Sequence, residues 1–215
     1  MEENVSRLIA GLSAYSAGLP LLVGLLGWKR LHRLQRLILW LVIWSIIIEI
    51  LAFWTGRYLH LPNLFLVHIF TFGQFVLLWY IFKQRLLNPL REIHFTVTLI
   101  AFIIAALLSA TYIDGLMNFN SHARSFEAIL VIFFCLTYFY QRLQLLDMED
   151  LESDPLFWLS TGSLVYFSGS LIMFIVSNYV ATDQGMSLTM WAVHAILNTF
   201  NNVFLIIALW VKPIN

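Results

Sequence analysis

The sequence predicts an all-α integral membrane protein, a seven-helix bundle that forms one domain over residues 1–215. Three observations support this prediction. Hydrophobic residues make up 60% of the 215 residues and charged residues only 11%, too few to cover a water-soluble core of that size. The hydrophobic residues fall into seven stretches long enough to cross a bilayer. Lysine and arginine collect on one side of these stretches, as in membrane proteins of defined orientation.

The seven stretches are separated by short polar connections that contain turn and helix-start residues. Asn88-Pro89 and Asp114-Gly115 are typical turn pairs. In a third connection Asp154 is a typical helix N-cap, with Pro155 in the first turn. About 20 residues at about 1.5 Å each cross the roughly 30 Å hydrocarbon layer. The predicted spans are 8–27, 37–54, 62–82, 95–112, 122–141, 155–180 and 187–210.

The basic residues predict that the N-terminus lies outside and the C-terminus inside. Lysine and arginine in short loops resist translocation, so the side with more of them is the cytoplasmic side. We therefore expect a multi-pass protein of the inner (cytoplasmic) membrane, in contact with membrane lipids. The nine inner residues are Lys29, Arg30, Arg33, Arg36, Lys83, Arg85, Arg91, Arg142 and Lys212, and the three outer ones are Arg7, Arg57 and Arg124.

Charge and cysteine content exclude some classes of function. Lysine plus arginine and aspartate plus glutamate each number 12, and this balance argues against binding to nucleic acid, which needs a basic surface. The single cysteine, Cys135, excludes an internal disulfide and a thiolate metal cluster. No catalytic motif is found, so an enzyme is the less favoured class, and no cofactor is expected.

The seventh span carries a polar stripe. His194, Asn198, Asn201 and Asn202 follow one another at i, i+4, i+7 and i+8, which places them on one face of a helix. Polar side chains inside a membrane span are costly unless they face the bundle interior or water. The stripe is therefore predicted to face the other helices, which must supply partners for it.

Ionisable residues in four spans are predicted to lie at one depth. Glu49, His68, Glu127 and His194 are each five to seven residues from the outer end of their span, or about 8 to 11 Å deep. Gln74 and Asn198 follow nearer the middle, and Tyr166 shares a face of the sixth span with serine residues. The predicted pocket residues are Glu49, His68, Gln74, Glu127, Tyr166, His194, Asn198 and Asn202.

Three interpretations of this layer remain open. The residues could be buried hydrogen-bond partners that fix the helix packing, or they could line a ligand pocket open to the outside. Metal or proton chemistry is the third, because two imidazoles and two carboxylates suffice for a zinc site. No His-x-x-x-His spacing strengthens that option, and no metal is predicted. A retinal Schiff base needs a lysine inside the bundle, and the lysines lie at inner span ends.

At NLFLVHIFTFGQF (63–75) and FNSHARSFEAILVIFFCLTYFY (119–140) most clearly, and over nearly the whole chain, the sequence resembles a family of small bacterial seven-span proteins common in Bacteroidetes-type bacteria. The resemblance is also clear at 155–180 and 191–210. Gln74 stands where the family would have a glutamate. Members are often encoded beside sensor histidine kinases, so the resemblance implies a signalling context. The matching polar positions are Glu49, His68, Glu127, Tyr166, Gly169, Asn178, His194 and Asn198.

We therefore expect a membrane protein with an outward-facing polar pocket that senses or relays a signal to a partner, such as a histidine kinase. An intramembrane enzyme or a small-molecule carrier that uses the same pocket is the alternative. A second alternative is a purely structural accessory subunit, in which the polar layer only specifies helix packing.

Overall fold

A computed structural model describes residues 11, 13, 15–86, 91–144, 151–180 and 184–212. Within these ranges the chain is helical and contains no strand, as the hydrophobic pattern predicts. The α-helices are α1 (Gly18–Leu26), α2 (Arg33–Arg57), α3 (Phe65–Arg85), α4 (Arg91–Leu108), α5 (Ser121–Gln144), α6 (Pro155–Val180) and α7 (Gln184–Trp210). A π-helical turn, Ser109–Ile113, continues α4.

Six helices are long and apolar enough to cross a membrane, and they correspond to the second to seventh predicted spans. The protein is thus a multi-pass membrane protein. The first predicted span, 8–27, lies partly outside the described residues, so the count of seven spans stays a prediction. Its described part consists of α1, of residues 11, 13, 15 and 16, which are also helical, and of the turn residues 17 and 27. The six spans run over Arg33–Arg57, Phe65–Arg85, Glu92–Ile113, Ser121–Gln144, Pro155–Asn178 and Leu188–Trp210.

Glycines let α6 and α7 pack closely. A Cβ atom added to Gly162 would lie 2.6 Å from Cβ of Phe204, and one added to Gly169 would lie 2.8 Å from Cδ1 of Leu197. Small residues at such positions allow helix backbones to approach in a membrane, where van der Waals packing drives association. These contacts bring the polar stripe of α7 against the interior of the bundle.

Stacked phenylalanines hold α4 against α3 and α5. The ring centroids of Phe75 and Phe102 are 3.9 Å apart, and those of Phe95 and Phe134 are 5.2 Å apart. All four side chains are buried. Offset stacking of buried rings adds to the free energy gained from burial itself. This side of the bundle is therefore an apolar core, and the polar groups collect on the other side.

One end of the bundle, called here the Asp114 end, is tied together by a buried carboxylate. Asp114 follows the π-helical turn and accepts hydrogen bonds from Ser109 Oγ (2.7 Å), His122 N (3.1 Å) and Asn178 Nδ2 (2.9 Å). His122 Nδ1 lies 2.9 Å from Asp114 Oδ1. The carboxylate thus links the end of α4, the start of α5 and the end of α6.

The opposite end, called the Arg142 end, has its own ion pair. Arg142 Nη2 donates to Asp154 Oδ2 (2.6 Å), which also accepts from Tyr138 Oη (2.7 Å). Asp154 Oδ1 accepts from Leu156 N (2.9 Å), and Pro155 is the first residue of α6. The predicted N-cap at Asp154 is therefore confirmed, and it joins α5 to α6 at this end.

Candidate functional site

Arg124 is the centre of the buried polar groups. It lies in the first turn of α5 with only 5% of its surface exposed. Its guanidinium carbon is 4.8 Å from the ring centroid of Phe70 and 4.9 Å from that of Phe174. The faces of aromatic rings attract cations, and the attraction is strongest where water is excluded. The two rings therefore hold the guanidinium between α3 and α6.

Hydrogen bonds from Arg124 join α3, α5 and α6. Nη1 donates to Gln74 Oε1 (2.6 Å) and to Glu127 Oε2 (3.0 Å), and Nη2 donates to Tyr166 Oη (3.1 Å). Glu127 is fully buried, three residues after Arg124 on the same helix. A charge this deep needs both a counter-ion and hydrogen bonds, and these neighbours supply them for the two Nη atoms. Arg124 Nε and Glu127 Oε1 are buried without a hydrogen-bond partner among the described residues.

Tyr166 extends these contacts to α7. Its hydroxyl lies 2.9 Å from His194 Nε2. Because the hydroxyl oxygen accepts from Arg124, its own proton is free to be donated to His194. Donation of that proton to Nε2 would place the imidazole proton on Nδ1. We call Gln74, Arg124, Glu127, Tyr166 and His194 the Arg124 network.

Four residues of the Arg124 network, namely Gln74, Arg124, Tyr166 and His194, line a partly open cavity of about 260 Å³ in the bundle. This is room for several waters or for a small organic molecule. Its wall combines the polar residues with an apolar surface. The lining residues are Ala17, Leu41, Val42, Ser45, Ile48, Glu49, Ala52, Leu66, Val67, Phe70, Gln74, Arg124, Tyr166, His194, Asn198, Asn201, Asn202 and Leu205.

The polar stripe of α7 also contacts the first predicted span. Asn198 Nδ2 donates to Ser13 Oγ (3.1 Å) and Asn202 Nδ2 donates to Ser16 Oγ (2.8 Å). Ser16 Oγ gives its own proton to the carbonyl oxygen of Ser13 (2.7 Å), so it can only accept from Asn202. The oxygen of Asn201 is buried and has no hydrogen-bond partner among the described residues. The stripe therefore faces the bundle interior.

The structure brings most of the predicted pocket residues to this cavity but separates two of them. Glu127 does not line it and instead lies behind Arg124, with which it pairs. His68 lies away from it: its Nε2 atom is 3.3 Å from the carbonyl oxygen of Asn118, near the Asp114 end. The six predicted residues that line the cavity are Glu49, Gln74, Tyr166, His194, Asn198 and Asn202.

Three polar residues of the cavity were not among the predicted pocket residues. Ser45 and Asn201 line it. Arg124 lines it as well, although the charge distribution counted this arginine only among the three basic residues of the outer side. It is buried because its side chain turns toward α3 and α6, where Gln74 and Tyr166 accept hydrogen bonds from the guanidinium. An arginine in an apolar stretch is a functional-site signal in its own right, and that signal could have identified it.

No group of three or more histidine, cysteine, aspartate or glutamate side chains that could hold a metal ion occurs among the described residues. The two histidines of the predicted layer are separated, because His68 contacts Asn118 while His194 contacts Tyr166. The arrangement is suited to holding a small polar molecule by hydrogen bonds.

Fold and site together define a multi-pass helical membrane protein with a polar cavity within its bundle. Comparison of the chain with protein-family models, with curated proteins and with solved structures finds no match.

Proposed function

We propose that this protein is a membrane sensor that binds a small polar ligand in the cavity beside Arg124 and relays its occupancy to a partner. The observation that carries the proposal is that Arg124 and the amides of α7 border about 260 Å³ of space instead of packing against one another. A network that served packing alone would be closed, because empty space forfeits dispersion contacts. A cavity lined by apolar surface with a few polar groups is the usual form of a small-molecule site.

Occupancy of the cavity would act on several helices at once. Its lining comes from α2, α3, α5, α6 and α7, and a ligand that binds one packing of these helices better than another shifts the population between them. The same α5 and α6 meet again at the Arg142 end through Tyr138, Arg142 and Asp154. A shift between α5 and α6 would thereby reach the side that we propose faces the cytoplasm. The resemblance noted above suggests a sensor histidine kinase as the partner there.

A structural accessory role is the second candidate, and one observation favours it. The Arg124 network ties four helices together through Gln74, Glu127, Tyr166 and His194, which is what a packing device does. The two candidates differ in what must occupy the cavity, because only the sensor requires a ligand.

Native mass spectrometry of gently extracted protein tests the proposal. We expect the native chain to retain a small molecule and the Ser45→Phe variant to lose it, because a phenyl ring at this lining position fills the cavity. Ser168→Phe is the matched control, since the same change on an exposed position of α6 leaves the cavity intact. Retention by neither the native chain nor the control, with all three proteins folded, would favour the structural role. Autophosphorylation of a co-reconstituted kinase, compared between the same variants, tests the relay.

We also propose that the chain has seven spans in the cytoplasmic membrane, with the N-terminus outside. The support is the excess of lysine and arginine on the side of the Arg142 end. In a Cys135→Ser background, Met117→Cys should react with a membrane-impermeant thiol reagent in intact cells and Glu152→Cys should not. Both positions are exposed, at opposite ends of the bundle. After permeabilisation both should react, and labelling of Glu152→Cys alone in intact cells would reverse the orientation.

A further inference from the structure

Glu49, Ser45 and Asn198 line the cavity at one level of the bundle. Gln35, near the start of α2, donates to the carbonyl oxygen of Leu209, near the end of α7, so the two helices run antiparallel. Glu49 is fourteen residues further along α2, and fourteen residues back along α7 is position 195. Equal counts along two helices cover equal heights, so Glu49 lies within about one turn of Asn198. Ser45, by the same count, is level with position 199.

The groups at this level offer acceptors to a ligand. Ser45 Oγ gives its proton to the carbonyl oxygen of Leu41 (3.0 Å), which leaves its lone pairs. Asn198 uses its amide nitrogen on Ser13 Oγ (3.1 Å), which leaves its carbonyl oxygen. The Glu49 carboxylate only accepts, and no described residue donates to it. Three acceptors from two helices thus border the same part of the cavity.

The charge of the cavity wall also favours a positively charged ligand that donates hydrogen bonds. Arg124 is balanced by Glu127 at 3.0 Å, so this pair contributes no net charge. Glu49 is the other charged residue that lines the cavity, and it lies exposed in an apolar helix, without a basic partner among the described residues. A carboxylate in a membrane span is costly unless a partner offsets it. A bound cation would supply that partner.

We infer that the cavity takes a primary amine, a deepening that rests on the proposed sensor function. An ammonium group carries three N–H donors, which match the three acceptors of Ser45, Glu49 and Asn198. The volume of about 260 Å³ exceeds the needs of a bare metal ion. Leu41 and Leu205 add apolar wall for the organic part of the ligand. The ligand is a free alkylamine or the headgroup amine of a lipid such as phosphatidylethanolamine, which would reach Glu49 from its exposed side.

Calorimetric titration of the purified full-length protein with hexylamine tests the inference, with hexan-1-ol and hexanoate as matched neutral and anionic probes. We expect hexylamine to bind and the two analogues not to. Glu49→Gln should weaken hexylamine binding by about tenfold or more, because a neutral amide oxygen replaces the carboxylate as the acceptor of the ammonium group. Glu92→Gln, which removes an exposed carboxylate outside the cavity, should bind as the native chain does. If Glu49→Gln does not fold, Ser45→Phe provides the second variant, and it should abolish binding.

Equal binding of hexanol, preferential binding of hexanoate, or hexylamine binding that Glu49→Gln leaves unchanged would each overturn the inference. Competition by sodium chloride, but not by choline chloride, would assign the acceptors to a metal cation instead. Nanodiscs distinguish the sources: weaker hexylamine binding in phosphatidylethanolamine than in phosphatidylcholine identifies the lipid amine, and equal binding identifies a free one. A small molecule lost from Ser45→Phe in the mass spectrum, with no binding of hexylamine, would refute the amine alone and leave the sensor function standing.

Discussion

Replacing Glu127 with glutamine is expected to lower the free energy of unfolding by about 3–5 kcal/mol. Glu127 is fully buried and pairs with Arg124, which is itself 5% exposed, so the substitution leaves a guanidinium in the bundle without a counter-ion. The remaining partners, Gln74 and Tyr166, are neutral acceptors and cannot balance the charge. Unfolding of the purified protein by titration of a denaturing detergent, followed by circular dichroism, measures the change.

A double variant separates the unpaired charge from a simple loss of packing. Replacement of a buried ion pair by apolar residues of similar volume is often neutral, whereas removal of one partner is costly. The variant Arg124→Met with Glu127→Leu is therefore expected to be more stable than Glu127→Gln alone. If the double variant is the less stable of the two, or if Glu127→Gln unfolds like the native chain, Glu127 does not act as the counter-ion. The same variants also change the charge of the cavity wall, because they alter either Arg124, which lines the cavity, or its counter-ion Glu127, which does not.

Replacing Asp114 with alanine is expected to cost about 2–4 kcal/mol, since hydrogen bonds to a charged group contribute about 1.5–3 kcal/mol each and are not additive. The carboxylate is buried and holds Ser109, His122 and Asn178 from three helices. Loss of these contacts should release the Asp114 end first. Hydrogen exchange should therefore accelerate over residues 109–122 before it changes near Tyr138.

Glu92→Ala is the matched control for Asp114→Ala. Glu92 forms an ion pair of 2.7 Å with Lys83, but its side chain is 67% exposed. Exposed pairs contribute about 1 kcal/mol or less, because water already solvates both charges. We expect Glu92→Ala to unfold within about that margin of the native chain. Equal losses in both variants, or uniform acceleration of exchange along the bundle, would contradict a local role for Asp114.

Properties that depend on position along one helix could be predicted from the sequence. The hydrophobic stretches locate the six described spans, because span length is set by bilayer thickness. Ser153-Asp154-Pro155 predicts the start of α6, because an N-cap carboxylate accepts a hydrogen bond from the backbone N–H two residues later, here that of Leu156. The spacing of His194, Asn198 and Asn202 predicts a polar face on α7, and all three residues line the cavity. The seven-span count and the orientation remain predictions.

The partners of the polar residues were decided only by the tertiary structure. Similar depth in the membrane suggested that Glu49, His68, Glu127 and His194 would converge, but depth does not specify the direction in which a side chain points from its helix. His68 turns to Asn118 and Glu127 turns to Arg124, whereas Glu49 and His194 face the cavity. The sequence by itself determined the approximate positions of the six described spans and the polar face of α7, because these follow from local periodicity. Helix rotation and packing decided that Arg124 became the centre of the site, because a buried charge is stable only where several helices supply its partners.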